Sequence, residues 1–438
     1  MTLLTVPELV DLARLGARPV CTGQVTGALG LTLSVDGIEA AVGDLVEIQP
    51  GGQLLMAEVV AVHRDRLTCM PLGDLSGVRA GAPVRATGRP LQVPVGEALL
   101  GRVLDGLGRP IDGGPPIANQ VQFVDLTSQP PSPLTRTRVD QPLITGVRAL
   151  DTMIPCGKGQ RMGIFAGSGV GKSSLLSQIT RGTDADIRVI GLIGERGREV
   201  REFIEDDLGP EGMARTVVVV ATSDEPPLVR LKAAFVATRI AEAFRDQGRD
   251  VLLLMDSITR TAMAQREVGL SAGEPPATRG YPPSVFAMMP RLLERAGTGT
   301  TGSITGLYTV LVEGDDHNEP IADTARSILD GHIVLTRKLA TAGHFPAIDV
   351  LESISRVANA VVPAAQMADA REVRRLMGAL RDVRELIEIG AYQAGTDPQV
   401  DRARQLEPAI QAFLQQPIGD LTHPAESWAR LHHVVTSA

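Results

Sequence analysis

Residues Ala166 to Ser174 read AGSGVGKSS. Glycines at 167, 169 and 171 ahead of Lys172 and Ser173 are the makings of a phosphate-binding loop, with Ala166 in place of the usual first glycine. Without a Cβ to hold the chain away, the backbone N–H groups of Gly167, Ser168, Gly169, Val170 and Gly171 can curl around phosphate oxygens. A helix starting there adds partial positive charge. In such a loop Lys172 reaches the β- and γ-phosphates, and Ser173, with Ser174 beside it, takes Mg²⁺. The loop needs a strand before it and a helix after it. Both are legible: residues 161–165 are largely apolar, and Leu175, Leu176 and Ile179 recur at helical spacing until Gly182.

Two carboxylates belong to the same chemistry. In DVLLLMDS an apolar strand ends in Asp256, at the edge where open α/β sheets bind ligands. Alone, such an acid is a cap or turn residue. With a phosphate loop on a neighbouring strand it is expected to organise Mg²⁺ through water. Glu195, in GLIGERGREV, sits just past another strand end. Hydrolysis needs a carboxylate to orient and deprotonate the attacking water, and Glu195 is the best-placed candidate, with Arg196 as charge support beside the γ-phosphate. The plainer reading of Glu195 is a helix N-cap acid, a part Glu199 also fits.

The elements that must hold these residues divide the chain into four segments. Residues 1–17 read as a short helical arm: Thr5 and Glu8 have capping-box spacing, Pro7 lies in the first turn and Gly16 stops it. Residues 18–88 are short Val/Leu/Ile/Thr runs broken by glycine, the texture of a small closed β-barrel with nothing catalytic in it. Within the third segment, 89–362, a Pro/Gly-rich stretch to 142 reads as a connector. After it, apolar strands at 161–167, 187–194, 216–222 and 250–256 alternate with helical stretches, which predicts a parallel sheet covered on both faces. From 363 to 438 strands give way to helix, with Val373, Leu376, Leu380, Val383 and Ile387 along one side of a single amphipathic helix. The Gly/Thr stretch 297–306 and the Pro-rich 275–283 are expected to be mobile loops. The acidic run 313–316 with His317 reads as a solvated loop.

Composition narrows the function. The chain has 438 residues, 43% hydrophobic and 21% charged, enough apolar side chain for a large core. A net charge of −8 and only 3% aromatic residues argue against a nucleic-acid partner, including an RNA-translocating use of the same core. Cys21, Cys69 and Cys156 are far apart and outside any His cluster, so they form neither a disulfide framework nor a zinc site. No run is long and apolar enough to span a membrane, and the N-terminus is not a signal peptide, so a cytoplasmic protein is expected.

Taken together, AGSGVGKSS, GERGREVREF, LLLMDSITRTAMAQREVG, GEPPATRGYPPSVF, LVEGDD, SILDGHIVL and HFPAIDVLESISRV resemble the ATPases of flagellar and type III protein export, relatives of the F-type ATP synthase catalytic subunit. The resemblance covers roughly residues 20–435, and GEPPATRGYPPSVF looks more like the flagellar branch than the virulence-injectisome branch. It implies a P-loop NTPase of the α/β class, with a RecA/F1-like sheet core, an N-terminal β-barrel and a helical C-terminal domain. It implies a homohexamer hydrolysing ATP with Mg²⁺ at subunit interfaces. Lys172, Ser173, Glu195 and Asp256 take the roles given above. Arg356, in SISRV, matches the arginine finger that reaches a neighbouring subunit's γ-phosphate; without the resemblance it would be a surface ion-pair residue. Phe345, in HFPAID, matches an adenine-stacking aromatic that is usually tyrosine, and Arg260 matches a further phosphate-proximal arginine. The implied partners are a stator-like regulator on the N-terminal arm, a central stalk protein in the ring pore facing 275–283 and 297–306, membrane proteins of the export gate, and complexes of export substrates with chaperones. The implied place is the cytoplasmic side of the inner membrane. Two other readings stand beside flagellar export: an injectisome ATPase and a nucleotide-binding subunit of a rotary ATPase. The presence of both Glu195 and Arg356 in one chain favours a self-sufficient homohexamer over the latter.

Overall fold

The computed structural model describes residues 22–49, 54–312 and 319–437. The arm at 1–17, Cys21, and the acidic run 313–316 with His317 lie outside the described residues. Two compact units divide the chain after Leu91, with Leu270–Glu274 grouped with the first.

The first unit contains a closed barrel of β1 (Thr22–Leu29), β2 (Thr32–Asp36), β3 (Asp44–Ile48), β4 (Leu55–Val62), β5 (Leu67–Pro71) and β6 (Pro83–Pro90), joined in the order β1–β2–β5–β4–β3–β6. Alternation along the strands sends Val25, Leu33, Val35, Val46, Ile48, Val59 and Val84 inside. Closure leaves no unpaired edge.

In the second unit β7 (Gln92–Val95) and β9 (Gln122–Asp125) form an antiparallel ribbon around β8 (Val103–Asp105) in sequence. A second small ribbon joins β10 (Pro142–Leu143) to β11 (Cys156–Gly157). The main sheet then takes β12 (Arg161–Ala166), β13 (Ile187–Glu195), β14 (Thr216–Thr222), β15 (Asp250–Asp256), β16 (Gly297–Thr298), β17 (Ser303–Leu311), β18 (Gly331–Leu335) and β19 (Ile348–Ser355). Among the described residues its order is β19–β18–β12–β17–β15–β13–β14–β8, with β16 paired to β17. Neighbours from β18 to β8 are parallel, while β19 runs antiparallel on the edge. The near-continuous Val/Ile/Leu runs are explained by burial on both faces: Val217, Val218, Val219, Leu253 and Leu254 have no exposed surface.

Helices connect and cover the strands. They include α1 (Lys172–Gly182), α2 (Gly197–Glu202), α3 (Pro227–Arg245), α4 (Ile258–Ser271) and α5 (Pro283–Leu293), followed by the C-terminal α6 (Ala364–Asp382), α7 (Pro398–Leu414) and α8 (Pro424–Thr436); further helices lie between them. The last three share the core of the sheet's flank through Val373, Leu376, Leu406, Ile410, Phe413 and Leu431.

Three expectations are corrected and one, the loop 275–283, is narrowed. The connector contributes a strand: β8 extends the main sheet beside β14, where Leu104 pairs with Val219. The stretch 297–306 is not a mobile loop. It is the β16–β17 hairpin, buried except at Thr300 and Thr301. Its glycines serve close approach: a Cβ on Gly302 would stand 2.3 Å from the Arg245 carbonyl oxygen and 2.7 Å from that of Arg249. In 275–283, residues 275–279 are exposed, but Tyr281 is buried, with the Arg266 guanidinium 5.2 Å from its ring centre and the Phe286 ring edge-on. Tyr281 is therefore a packing residue. Finally, the apolar stripe 373–387 is not one helix. Val383 leaves helical dihedrals, and residues 384–388 form a separate short helix that keeps Ile387 against the same core.

The hairpin correction is testable. Gly302→Ala should lower stability by about 1–3 kcal/mol through overpacking, read from the urea midpoint, whereas Thr300→Ala should change it by no more than about 0.5 kcal/mol. Equal tolerance at both positions would restore the mobile-loop reading.

Candidate active site

The carboxyl ends of β12, β13 and β15 face one side of the sheet, and each delivers one group. β12 ends at Ala166 and its loop leads into α1, whose first residue is Lys172. Gly169 and Gly171 have φ of 75° and 89°, a left-handed backbone that glycine alone adopts at little cost. Gly171 caps α1, and Leu175, Leu176 and Ile179 anchor that helix in the core. β15 ends in Asp256 and β13 in Glu195, the register placing Leu192 opposite Asp256.

Lys172 Nζ donates to both Asp256 oxygens, at 2.6 and 2.8 Å, and stands 3.5 Å from Glu195 Oε1. Asp256 accepts a further bond from the buried Thr309 hydroxyl on β17, at 2.6 Å. Thr309 was not legible as a site residue, since nothing marks one strand threonine among several. Ser173, Glu195, Glu199, Glu202, Asp207 and Asp256 line one small cavity of about 100 Å³.

Burial, reinforced by the Asp256 carboxylate, pushes the Glu195 carboxyl above its ordinary range, against the opposing pull of Lys172; the hydrogen bond that protonated Glu195 donates to Glu199, and the charge of Glu199, raise it further. A raised carboxyl is the stronger base, as a group that must take a proton from water needs to be.

Ser173 and Asp256 offer a hydroxyl and a carboxylate in this cavity, the hard oxygen donors that suit Mg²⁺ bound largely through water. Among the described residues no cluster of three His, Cys, Asp or Glu side chains is arranged to hold a metal by itself.

The remaining predicted residues divide into neighbours and outliers. The Phe345 ring stands over Gly171, 3.2 Å from where a Cβ would be, and is 45% exposed, so an aromatic face borders the loop. Arg260 packs its Cβ, Cγ and Cδ against Gly194, and its buried Nε has no hydrogen-bond partner among the described residues. Ser168, at the exposed turn of the loop, accepts a long bond from Arg337 at 3.4 Å. Gly167 and Val170 are buried and Ser174 half-buried. Arg196 is not in the group: it turns to Glu199 at 3.2 Å with its side chain 79% exposed.

Arg356 lies at the other end of the sheet. β19 pairs Ile348 with Leu335, beside Ala166, and Ser355 with Gly331. The Arg356 N–H donates to the Asp330 carbonyl at 3.0 Å, and the Asp330 N–H to the carbonyl of Arg161, the first residue of β12. The length of β12, roughly 17 Å at ~3.3 Å per residue, therefore separates Arg356 from its own phosphate loop.

Models of known families match in three blocks. The ATP synthase alpha/beta family β-barrel domain matches residues 25–88, the nucleotide-binding domain of that family 146–355, and the T3SS EscN ATPase C-terminal domain 362–433. The flagellum-specific ATP synthase of Salmonella typhimurium is 52% identical over 411 residues, covering 90% of each chain. The type 3 secretion system ATPase of Xanthomonas euvesicatoria is 52% identical over 402 residues, covering 91% of each. The chain belongs to the flagellar and type 3 secretion ATPase family. Its fold matches the assembled ATPase EscN of enteropathogenic E. coli with a TM-score of 0.91 at 47% identity, covering 94% of this chain and 100% of that one. EscN in complex with its central stalk EscO matches at 0.88 and 46%, with the same coverage. The three-part architecture read from the export-ATPase motifs is thus the observed one.

Because Glu199 adds to the rise of Glu195, Glu199→Gln should lower the Glu195 pKa. The acid limb of the ATPase pH–rate profile should then move to lower pH. An unmoved limb would remove Glu195 as the titrating base.

Proposed function

We propose that this chain hydrolyses ATP in a ring of six copies and so energises protein export of the type III class. The observation that carries the reading is the placement of Arg356. The loop, Lys172, Glu195 and Asp256 gather at one end of the sheet, and the arginine that would complete their charge balance stands at the other. A complete site then takes its arginine from a neighbouring copy.

In this reading the loop amides and Lys172 hold the β- and γ-phosphates, and Phe345 supplies a stacking face for the adenine, without the hydroxyl of tyrosine. Glu195 orients the attacking water and takes its proton. Arg260 adds charge beside the strand end that carries Glu195, and Arg356 of the next copy neutralises charge spreading over the transferring phosphoryl oxygens, an effect worth ~10³–10⁵ in rate. Mg²⁺, held through Ser173 and through water at Asp256, screens the phosphate charge when bound. Arg196 has the weakest case, being already paired and exposed.

Flagellar and secretion-system relatives match at the same 52%, so the export class is assigned as a whole, with the segment 273–286 favouring the flagellar form. The assembled and stalk-bound EscN structures support an oligomer, which we take to be a homohexamer, and a stalk-type partner here. Export-gate proteins and chaperone–substrate complexes follow from the class, as does a site of action at the cytoplasmic face of the membrane. No helix among the described residues is long and apolar enough to cross a membrane, so attachment there falls to partners. We assign the regulator to the arm 1–17, and divide the labour between a barrel ending near 88, an ATPase segment ending near 362 and the helices beyond.

Specific ATPase activity should rise steeply with protein concentration. Arg356→Ala and Glu195→Gln should each be inactive alone and should recover activity when mixed, since some interfaces then pair an intact Glu195 with an intact Arg356. Concentration-independent activity with no recovery would mean a self-contained monomeric site.

A further inference from the structure

β19, the strand that leads to Arg356, is irregular where it matters. Its pairing with β18 passes from Val334↔Asp349 directly to His332↔Ile354. Only Ile333 on β18 faces the four residues 350–353 of β19. A bulge of that size interrupts the ladder and re-aims whatever follows it. Val350 and Ser353 are nonetheless buried, at 1% and 2% exposure, so their carbonyls need donors from elsewhere.

The donors come from α6. Arg374, on α6, hydrogen-bonds through Nη1 to the Val350 carbonyl, and through Nη2 to the Ser353 carbonyl at 3.1 Å and the Met153 carbonyl at 2.8 Å. Seven residues along the same helix, Arg381 pairs with Glu352 at 2.6 Å. On the sheet side His332 Nε2 meets the Glu352 carbonyl at 3.0 Å, and Ser353 Oγ ties the Val334 N–H to the Asp349 carbonyl. Just past the bulge, Ser355 and the Asp330 carbonyl are both held by the Gln160 amide, at 3.1 and 3.0 Å. The root of Arg356 is thus fixed to its own sheet, and the bulge before it is shaped by one guanidinium of the helical layer. A planar fork of five donors can serve three carbonyls at once, which a lysine ammonium on the same stem cannot reproduce.

We propose that Arg374 is a positioning residue for Arg356: acting through β19, it sets where the Arg356 guanidinium stands when a second copy of the chain uses it. This rests on the shared-site reading above. Arg374 touches neither the phosphate loop nor Arg356 itself, so its effect must appear on the face the subunit lends to its neighbour. The face carrying its own Lys172 should be untouched.

The test uses Arg374→Ala, with Arg374→Lys as the variant that keeps charge and stem if alanine fails to fold. Either should lower kcat, by about 10²-fold for alanine if the misplacement approaches 1 Å. The affinity of the subunit for mant-ADP and the KM for ATP should change little. Mixing decides the face. The Arg374 variant should regain activity with Glu195→Gln, which supplies an intact Arg356 side, and should not regain it with Arg356→Ala, which is defective on the same side. Recovery with Arg356→Ala but not with Glu195→Gln would place the defect on the variant's own nucleotide face and overturn the proposal. Recovery with neither, or unchanged kcat in both variants, would also overturn it. The control mixture of Arg356→Ala with Glu195→Gln separates the two levels: if that pair fails to recover, the shared site itself is wrong and the positioning role falls with it.

Discussion

A lysine ammonium held between two carboxylates in a half-buried cavity is the constraint around which the central unit is organised. Lys172, Asp256 and Glu195 come from three separate strand ends, two of them brought together by the register of β13 against β15. Only a parallel sheet puts all its carboxyl ends on one edge, so the alternation of strand and helix is what makes the cluster possible. The cluster in turn explains Thr309, whose hydroxyl gives a second donor to the Asp256 oxygen that Lys172 also meets at 2.6 Å. With both acids ionised these three groups sum to one negative charge. A nucleotide adds several more, so the site has to import cations. Arg260, with an unpartnered buried Nε, is one source within the chain. In the proposed reading, Mg²⁺ and the arginine of a neighbour are the others.

The same electrostatics bears on Glu195. Burial beside Asp256 makes its ionised form costly. In a stability sense the group is a liability: folding raises its pKa, so the folded state binds the proton more tightly. Stability from this group is greatest at low pH, below the ordinary carboxyl range, and is lost as pH rises through the raised value. A side chain that weakens the fold at working pH, and also gains basicity where water must be deprotonated, is better explained by chemistry than by packing.

Legibility in the sequence followed locality. The phosphate loop is contiguous, its strand and helix flank it directly, and Ile187–Glu195, Thr216–Thr222 and Asp250–Asp256 announce themselves by runs of buried aliphatics. What escaped was set by distant partners. β8 hides in a Pro/Gly-rich stretch because three residues suffice when β14 supplies the ladder. Gly302 looks like flexibility, but it is there because the Arg245 and Arg249 carbonyls pass too close for a side chain. The Pro-rich segment 275–283 reads as a mobile loop because the burial of Tyr281 within it depends on Arg266 and Phe286, which lie outside the segment. Arg374 is one of several arginines on α6, and its three carbonyl partners lie 21 to 221 residues away.

The edge strand β19 joins these levels. An antiparallel strand on a parallel sheet starts at the phosphate-loop edge and finishes at the opposite one, so a single short segment carries Phe345 near its beginning and Arg356 just beyond its end. In the proposed ring, one copy could therefore border its own loop with an aromatic face while presenting a guanidinium to another copy, with no large loop needed for either task. The cost is a strand whose middle cannot pair fully with β18. Helix α6 makes good that deficit through Arg374, while Arg381 pins the Glu352 side chain of the bulge. This gives the helical layer a physical reason to be attached where it is. In the proposed shared site, a displacement of α6 would be felt first at the bulge, three to six residues before Arg356, and so at the neighbour's phosphate before it was felt at the subunit's own.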